Sequence, residues 1–242
     1  MKAWAIIAAA GVGTRMGADR PKQYLEIDGR PIICHTLERF KEAPCIESVV
    51  VVVEPGREEA FKHEILKSFG FPKSWIVVAG GKVRQESVAN GLVHIPSDCD
   101  VVVVHDGVRP FVRASLIQRS AQEALCQGAC IAATPIKETI KRVVKENIIA
   151  ETVDRQDLWN AKTPQAFRLD LLTKAMEKAT EDGFIGTDEA SIVERLGVTV
   201  KILESDDRNI KITTPSDLIV AQSIFDEWES TLSVDPEPVE GS

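Results

Sequence analysis

The sequence predicts an α/β protein with a doubly wound, mostly parallel sheet and a protruding β-hairpin arm. Three observations lead to this prediction. Short apolar runs alternate with segments of helical periodicity over most of the chain. Polar or glycine-containing motifs follow directly after several of these runs. Two β-prone runs, 141–144 and 148–153, flank the polar turn Lys145-Glu146-Asn147 and interrupt the alternation.

The alternation begins with an apolar run at 4–8, which is typical of a strand buried on both faces. A glycine-rich loop follows, and its backbone N–H groups, free of bulky side chains, are suited to holding an anion. Further strands and helices then alternate with right-handed crossovers. The predicted strands are 45–53, 75–79, 101–104 and 130–134, and the predicted helices are 32–40, 58–69, 83–95 and 115–126.

The hairpin runs predict an arm at about 137–157 that leaves the sheet. A two-stranded arm is marginally stable alone, so we expect it to rest on something, most simply a second subunit. Beyond it the pattern predicts helices at 169–181 and 188–196 and a strand at 199–203. A final helix at 215–228 has Thr214 as its N-cap and Asp217 three residues after the cap. We expect one domain over residues 1–232 and a flexible tail over 233–242.

Composition excludes several classes of protein. The chain has 242 residues, of which 44% are hydrophobic, so a sizeable core is expected. Its net charge of -8 argues against nucleic acid or an anionic membrane surface as the main partner. The five cysteines are odd in number and are not arranged in pairs of metal-ligand spacing, apart from a weak signal at Cys126 and Cys130, so they are expected to be small buried thiols in a reducing compartment. With no signal peptide and no apolar run long enough to span a bilayer, a cytoplasmic location is expected.

The first loop does not fit the two better-known phosphate-binding motifs. The dinucleotide fingerprint requires a third glycine where Met16 stands, and a Walker A loop requires Gly-Lys-Ser/Thr, whereas Lys22 lies between proline and glutamine. Hydride transfer and P-loop hydrolysis are therefore not supported. The loop instead predicts binding of a nucleoside triphosphate, because Gly11 and Gly13 are followed by the cations Arg15 and Lys22. The competing interpretation is a tight turn with solvated cations.

Ligands of open α/β sheets bind beyond the carboxyl ends of the strands. Polar motifs that follow predicted strands should therefore share one rim and form one cleft. Gly81 and Ser87 could contact a flat nucleotide base and hydrogen-bond to its edge. An ordinary βα turn without a ligand would have the same sequence pattern. Asp106 and Arg109 lie in a turn before a proline and could face the cleft or form a structural ion pair. The motifs in question are 11–22, 80–87, 106–109 and 137–139.

Three further charged positions have open interpretations. His105 precedes an aspartate, but no second carboxylate or histidine lies at ligand spacing, so no metal ligation is expected there. Arg155 on the arm is either solvated or functional. Lys211 lies in a β-like alternation, on the side predicted for Asn209 and Thr213, and is either a rim cation or a surface charge.

Seven short motifs occur in order along the chain: Ala9-Ala10-Gly11-x-Gly13-x-Arg15-Met16, Pro21-Lys22-Gln23-Tyr24-Leu25, His105-Asp106-x-x-Arg109-Pro110, Thr152-Val-Asp-Arg155, Thr163-Pro-Gln165, Thr187-Asp188-Glu189-Ala190-Ser191 and Asn209-Ile-Lys211. Together they resemble the 2-C-methyl-D-erythritol 4-phosphate cytidylyltransferase family, at compatible spacing up to about residue 232. The first motif is shared with many sugar-nucleotide pyrophosphorylases, whereas the combination is far more specific.

The resemblance implies a Rossmann-like nucleotidyltransferase fold, CTP and a polyol phosphate as substrates, and pyrophosphate as the leaving group. It also implies Mg²⁺ as cofactor, bound mainly through the CTP phosphates and not by protein side chains, and a homodimer formed through the β-arm. By position, Arg15 and Lys22 would stabilise the transition state at the α-phosphate, and Arg155 and Lys211 would hold the attacking phosphate. Substrate-binding positions would be Asp106, Arg109, Thr139, Thr163 and Thr187. Nucleotide-binding positions would be Ala9, Ala10, Gly11, Gly13, Gly81 and Ser87.

The sequence departs from the family pattern at two places. Gly107-Val108 stands where the family often has two alanines, and Lys82-Val83 stands where it often has an acidic pair. The first changes packing mildly, and the second removes an acid near the expected ribose or base.

The nearest rival is ribitol 5-phosphate cytidylyltransferase, against which the arm motif ending in Arg155, with Leu158-Trp159 after it, favours the methylerythritol enzyme. A sugar-1-phosphate uridylyl- or guanylyltransferase would leave the arm motifs unexplained. A non-catalytic nucleotide-binding regulatory module is disfavoured because both Arg15 and Lys22 are retained.

Overall fold

The structure, a computed structural model, describes residues 1–11 and 20–232, with side chains as far as Trp228. In chain order the strands are β1 (Ala3–Ala9), β2 (Glu26–Ile27), β3 (Arg30–Pro31), β4 (Ile46–Val53), β5 (Ile76–Ala79), β6 (Val101–Asp106), β7 (Ala129–Pro135), β8 (Ile140–Val143), β9 (Ile149–Val153), β10 (Trp159–Arg168) and β11 (Lys201–Glu204). The helices are α1 (Ile32–Lys41), α2 (Glu58–Phe61), α3 (Arg84–Leu92), α4 (Ala114–Gln127), α5 (Leu169–Glu181), α6 (Glu189–Glu194) and α7 (Pro215–Leu232).

Seven of these strands form the central sheet, in the order β11-β7-β10-β6-β1-β4-β5. β1 is parallel to β4 and β6 on its two sides, and the pairs β4-β5 and β7-β11 are also parallel. β10 runs antiparallel between β6 and β7. The valines at 49–53 are fully buried because a parallel strand in the middle of such a sheet is covered on both faces. The predicted mostly parallel α/β fold is confirmed.

Helices cover both faces of the sheet because each face presents a continuous apolar layer. On one face Phe40 of α1 and Ile117 of α4 pack against the inward side chains of β1, β4 and β6. On the other face Val88 of α3 and Leu172 of α5 do the same. Burying one side chain of this size contributes about 1.5–3 kcal/mol to folding. These layers therefore fix the strand ends that carry the polar motifs.

β10 is a strand that the sequence pattern did not predict. It contains polar residues and Pro164, which are unusual within a strand of a sheet interior. Its pairing with β7 shifts register between Ala161 and Gln165, where the Thr163–Pro164 peptide bond is cis. The shift accommodates the proline and returns the strand to regular pairing at Gln165.

Other boundaries differ from the prediction by a few residues. The helix expected at 58–69 is α2 followed by a π-helix at Lys62–Lys67. The helix expected at 188–196 is the shorter α6, whose N-cap Asp188 forms a capping box with Ser191. The β-like alternation expected around Lys211 is wrong: residues 209–213 are irregular. Asn209, expected on the same side as Lys211, is buried with only 1% exposure.

The predicted hairpin arm is present. β8 and β9 pair antiparallel around a 3₁₀ turn at Lys145–Asn147, in which Glu146 and Asn147 both have positive φ. The arm exposes a run of apolar side chains, each more than half accessible: Val143, Val144, Ile148 and Ile149. Isolated exposed apolar residues are ordinary, but four on one hairpin form a patch that favours a partner surface.

α7 begins with the predicted cap. The Thr214 N–H donates to the Asp217 carboxylate at 2.8 Å, and the Asp217 N–H donates to the Thr214 hydroxyl at 3.3 Å. The helix covers a small apolar cluster that includes Phe111 and Ile212. The expected tail at 233–242 lies outside the described residues. Among the helices that the structure describes, none combines the length and apolar character needed to cross a membrane.

Candidate active site

A cleft lies beyond the carboxyl ends of β1, β5 and β6, where the sequence motifs were expected to meet. The ends of these parallel strands meet at one edge of the sheet, so segments far apart in the chain become neighbours. Most of the predicted site residues in the described part of the chain line it. The lining includes Ala9, Ala10, Gly11, Lys22, Gly81, Ser87, Asp106 and Lys211.

Two tight turns form one wall of the cleft. A Cβ on Gly80 would lie 2.5 Å from the Ala10 Cβ, so the turn after β5 can touch the turn after β1 only with glycine at this position. The Gly81 N–H donates to the buried Ser87 hydroxyl at 3.0 Å, and that hydroxyl donates to the Val83 carbonyl at 3.1 Å. Ser87 therefore holds the glycine turn in shape.

Gln23 closes the glycine-rich loop. Its amide donates to the Ala9 carbonyl at 2.8 Å, and its side chain is buried. The start and the end of the loop are thereby joined, and Lys22, in a short 3₁₀ turn at Lys22–Tyr24, lines the cleft beside this contact. The predicted residues Gly13 and Arg15 lie outside the described residues.

Asp106 ends β6 and is shared by three cations. Its Oδ2 lies 2.9 Å from the Arg109 Nε and 3.1 Å from the Lys211 Nζ, and its Oδ1 lies 3.5 Å from the Arg84 Nη2. Burial alone would raise the pKa of Asp106, but Lys211, Arg84 and Arg109 outweigh it and hold the pKa well below the usual range. The carboxylate is therefore ionised and orders the cations around it.

His105 is a buried structural residue of the site's floor. Its Nε2 lies 3.2 Å from the Arg109 carbonyl, which can only accept, so Nε2 carries the proton. Its Nδ1 accepts from the Thr163 hydroxyl at 2.9 Å, and that hydroxyl accepts from the Asp106 N–H at 3.1 Å. Burial lowers the pKa of His105 to about 3, so the ring is neutral. Both ring nitrogens are occupied, in keeping with the expectation that His105 binds no metal.

The remaining predicted residues lie apart from the cleft lining. Thr139, at the base of the arm, and Thr187, before α6, are exposed. Arg155 is exposed on the arm and donates to the carbonyl of Lys137. Thr163 is buried and is engaged as described above. A single chain thus brings Asp106 and Lys211 together but not the arm residues.

Three residues to which the sequence assigned no role, although Gln23 and Glu189 stand in the quoted motifs, are prominent in the site. Arg84, the first residue of α3, lines the cleft and contacts both Asp106 and Glu189. Glu189, the first residue of α6, is fully buried. Gln23 is buried as well. Charged residues in a first helical turn usually face solvent, so the contact between Arg84 and Glu189 becomes evident only when the fold brings the starts of α3 and α6 together.

The mostly parallel sheet, the glycine-containing turns after β1 and β5 and the cationic cleft at the rim are the features of a nucleotidyltransferase. The family model described as 2-C-methyl-D-erythritol 4-phosphate cytidylyltransferase matches residues 3–227. The chain belongs to this family.

Individual relatives agree with that assignment. The 2-C-methyl-D-erythritol 4-phosphate cytidylyltransferase of Geotalea uraniireducens is 44% identical over 227 residues, which are 93% of this chain and 97% of that protein. The protein of the same name from Alkaliphilus metalliredigens is 43% identical over 94% of this chain and 98% of its own length. Among solved structures, 4-diphosphocytidyl-2C-methyl-D-erythritol synthase from Anaerococcus prevotii has a TM-score of 0.81 at 30% identity, covering 93% of this chain and 96% of that one.

Proposed function

We propose that this protein transfers the cytidylyl group of CTP to 2-C-methyl-D-erythritol 4-phosphate, giving 4-diphosphocytidyl-2-C-methyl-D-erythritol and pyrophosphate. The observation that carries the proposal is the gathering of Lys22, Lys211 and Arg84 at one cleft of a chain that belongs to this family, with the buried Arg109 behind them on Asp106. Two polyanions must meet in the reaction, and fixed cations at the meeting point offset their repulsion.

The chemistry needs no general base. An oxygen of the phosphate monoester is already ionised near neutral pH and attacks the α-phosphorus of CTP. A new P–O bond forms there as the bond to the β-phosphate oxygen breaks, and pyrophosphate leaves. Lys22, and Arg15 in the loop before it, would stabilise the charge that builds on the α-phosphoryl oxygens.

Each wall of the cleft has a role in this proposal. The cytidine and its phosphates would lie along the turns of Ala9, Ala10, Gly11, Gly13, Gly81 and Ser87. Lys211 would hold the attacking phosphate from the opposite side, together with Arg155. The sugar alcohol would be bound by Asp106, Arg109, Thr139, Thr163 and Thr187.

Mg²⁺ would enter with the nucleotide. Asp106, a carboxylate on the cleft wall, is already shared by three cations, so it is poorly placed to serve as a metal ligand. Phosphate oxygens suit Mg²⁺, which retains waters and often binds through substrate phosphates. The ion would neutralise part of the charge on the triphosphate, and the side chains of this chain would orient the triphosphate.

A homodimer formed through the arm would complete the site. The arm exposes four apolar side chains, and Arg155 and Thr139 lie outside the cleft of their own chain. A second subunit receiving the arm would bury the apolar patch and could bring those residues to its own cleft. Sedimentation of the purified protein should show a dimer, and Ile148→Asp with Ile149→Asp should shift it to monomers.

The protein's five cysteines are all free, which fits the reducing cytoplasm in which we place it. The expected burial holds for Cys34, Cys99 and Cys130, whereas Cys45 is half-buried and Cys126 is exposed. Cell fractionation tests that location.

Pyrophosphate release tests the proposed reaction. The protein is assayed with CTP, UTP, ATP and GTP against methylerythritol phosphate and ribitol 5-phosphate. Release that depends on both CTP and methylerythritol phosphate supports the proposal. Preference for ribitol 5-phosphate would assign the other cytidylyltransferase reaction, and binding of nucleotide without release would make the protein a regulatory module.

A further inference from the structure

Two charged residues, Arg84 and Glu189, form a layer that runs inward from the cleft: Arg84 lies in the cleft lining, and Glu189 lies behind it. Arg84 joins three elements there: it begins α3, its Nη2 lies 3.5 Å from Oδ1 of Asp106 at the end of β6, and its Nη1 contacts Oε1 of Glu189 at the start of α6. One guanidinium thus links the helix after the nucleotide turn to the aspartate beside Lys211.

Glu189 is the unusual member of this layer. Its side chain is only 1% exposed, and its Oε2 has no hydrogen-bond partner among the described residues. Burial raises the pKa of Glu189, while Arg84 opposes that shift. A buried carboxylate costs several kcal/mol unless a cation and hydrogen bonds compensate it, so retaining one here favours a specific task over packing.

The position of Asp106 shows what that task is. Its two oxygens have different partners: Arg84 faces Oδ1, whereas Arg109 and Lys211 face Oδ2. Arg84, held by Glu189 on its far side, is thus placed to restrain the rotation of the Asp106 carboxylate, and with it the oxygen that orients the Lys211 ammonium.

We propose that Glu189 and Arg84 are positioning residues that act through Asp106 to set the place of Lys211, and thereby the seat of the attacking phosphate. The identity of that substrate rests on the proposed function. Glu189 is outside the cleft lining and would not touch substrate. The competing account is an ion pair that merely docks α6 on the sheet.

The test uses Glu189→Gln, which keeps the shape and removes the charge, and Arg84→Lys, which keeps a charge but loses the fork that spans two carboxylates. The matched control is Arg195→Lys, just beyond the other end of α6, where Arg195 pairs with Asp182 at 3.0 Å. If α6 were only docked by these pairs, the control would have the same effect.

The test measures KM for CTP and KM for the polyol phosphate separately and compares how much each one changes. A misplaced binding group costs up to about 100-fold, so we expect KM for the polyol phosphate to rise by about 10- to 100-fold in Glu189→Gln and Arg84→Lys. KM for CTP should change less in Glu189→Gln than KM for the polyol phosphate, and Arg195→Lys should leave both unchanged. In a Lys211→Ala background, Glu189→Gln should raise KM for the polyol phosphate little further, because Glu189 acts through Lys211 and that side chain is already absent.

Equal rises in both KM values, or additive effects of Glu189→Gln and Lys211→Ala, would overturn the inference. Failure of the proposed function is a separate outcome, since the wild-type protein would then not turn over these substrates. In that case crystal structures decide: the inference requires the Lys211 ammonium to move from Asp106 Oδ2 in Glu189→Gln. An unchanged separation would refute it, and Arg84→Lys gives a second chance to see the shift if Glu189→Gln does not fold.

Discussion

Asp106→Asn should destabilise the protein because it removes the anion that three cations share. Breaking a buried ion pair costs about 3–5 kcal/mol, but Arg84 and Lys211 are 29% and 38% exposed, and solvent screens them in part. We therefore expect a smaller loss of about 2–3 kcal/mol, at or below the lower limit of that range. For a chain of this length each kcal/mol lowers Tm by about 2–4 °C, so Tm should fall by about 4–12 °C.

The pH dependence of the loss in stability on Asp106→Asn tests the role of Asp106 more specifically than its size does. Asp106 has a folded-state pKa below its unfolded value, so its stabilisation is present in full above the unfolded pKa of about 3.9. It is lost as the pH falls through the folded value. The difference in Tm between wild type and Asp106→Asn should be constant from about pH 5 to pH 8 and should shrink below about pH 4.

Thermal unfolding followed by circular dichroism measures this difference, with Asp98→Asn as the control because Asp98 pairs with Lys2 on the surface. Added inorganic phosphate should raise the Tm of Asp106→Asn more than that of wild type, since the uncompensated cations can bind it. A variant as stable as wild type at pH 7, or a difference that persists unchanged at pH 3, would refute the account of Asp106 as a shared counter-ion.

Three other predictions concern the loop, the arm and the wall. Lys22→Ala should lower kcat by about 10²- to 10³-fold with an unchanged circular dichroism spectrum, the scale of one lost preorganised donor, and near-wild-type turnover would remove Lys22 from the mechanism. Mixed subunits of Arg155→Ala and Lys22→Ala should regain part of the activity that each lacks alone, whereas no regain would place Arg155 in its own subunit's site. Gly80→Ala should cost about 1–3 kcal/mol in urea unfolding, because its Cβ would lie 2.5 Å from the Ala10 Cβ, and an unchanged midpoint would show that the two turns can separate.

The parallel half of the sheet was predictable because its strands are buried on both faces. Continuous valine runs such as 49–53 and 101–104 have few other environments in a globular protein. Their carboxyl ends then place the motifs that follow them, which is why the meeting of Gly81, Asp106 and Lys22 could be expected from the chain order alone.

β10 was not predictable in the same way. Its outer half is polar, it contains Pro164, and its place between β6 and β7 is fixed by pairing with strands far away in sequence. The roles of Arg84 and Glu189 were hidden for a related reason: each is an ordinary first-turn residue until the fold brings the starts of α3 and α6 together. Local pattern carries no information on such contacts.

The route of the backbone through the arm has a consequence for inhibitors. β7 leads out to the arm at Pro135, and β10 brings the chain back between β7 and β6. The returning segment carries Thr163, whose hydroxyl accepts the Asp106 N–H. A compound bound where the hairpin joins the sheet would therefore act on the cleft through Thr163, without occupying the place proposed for CTP.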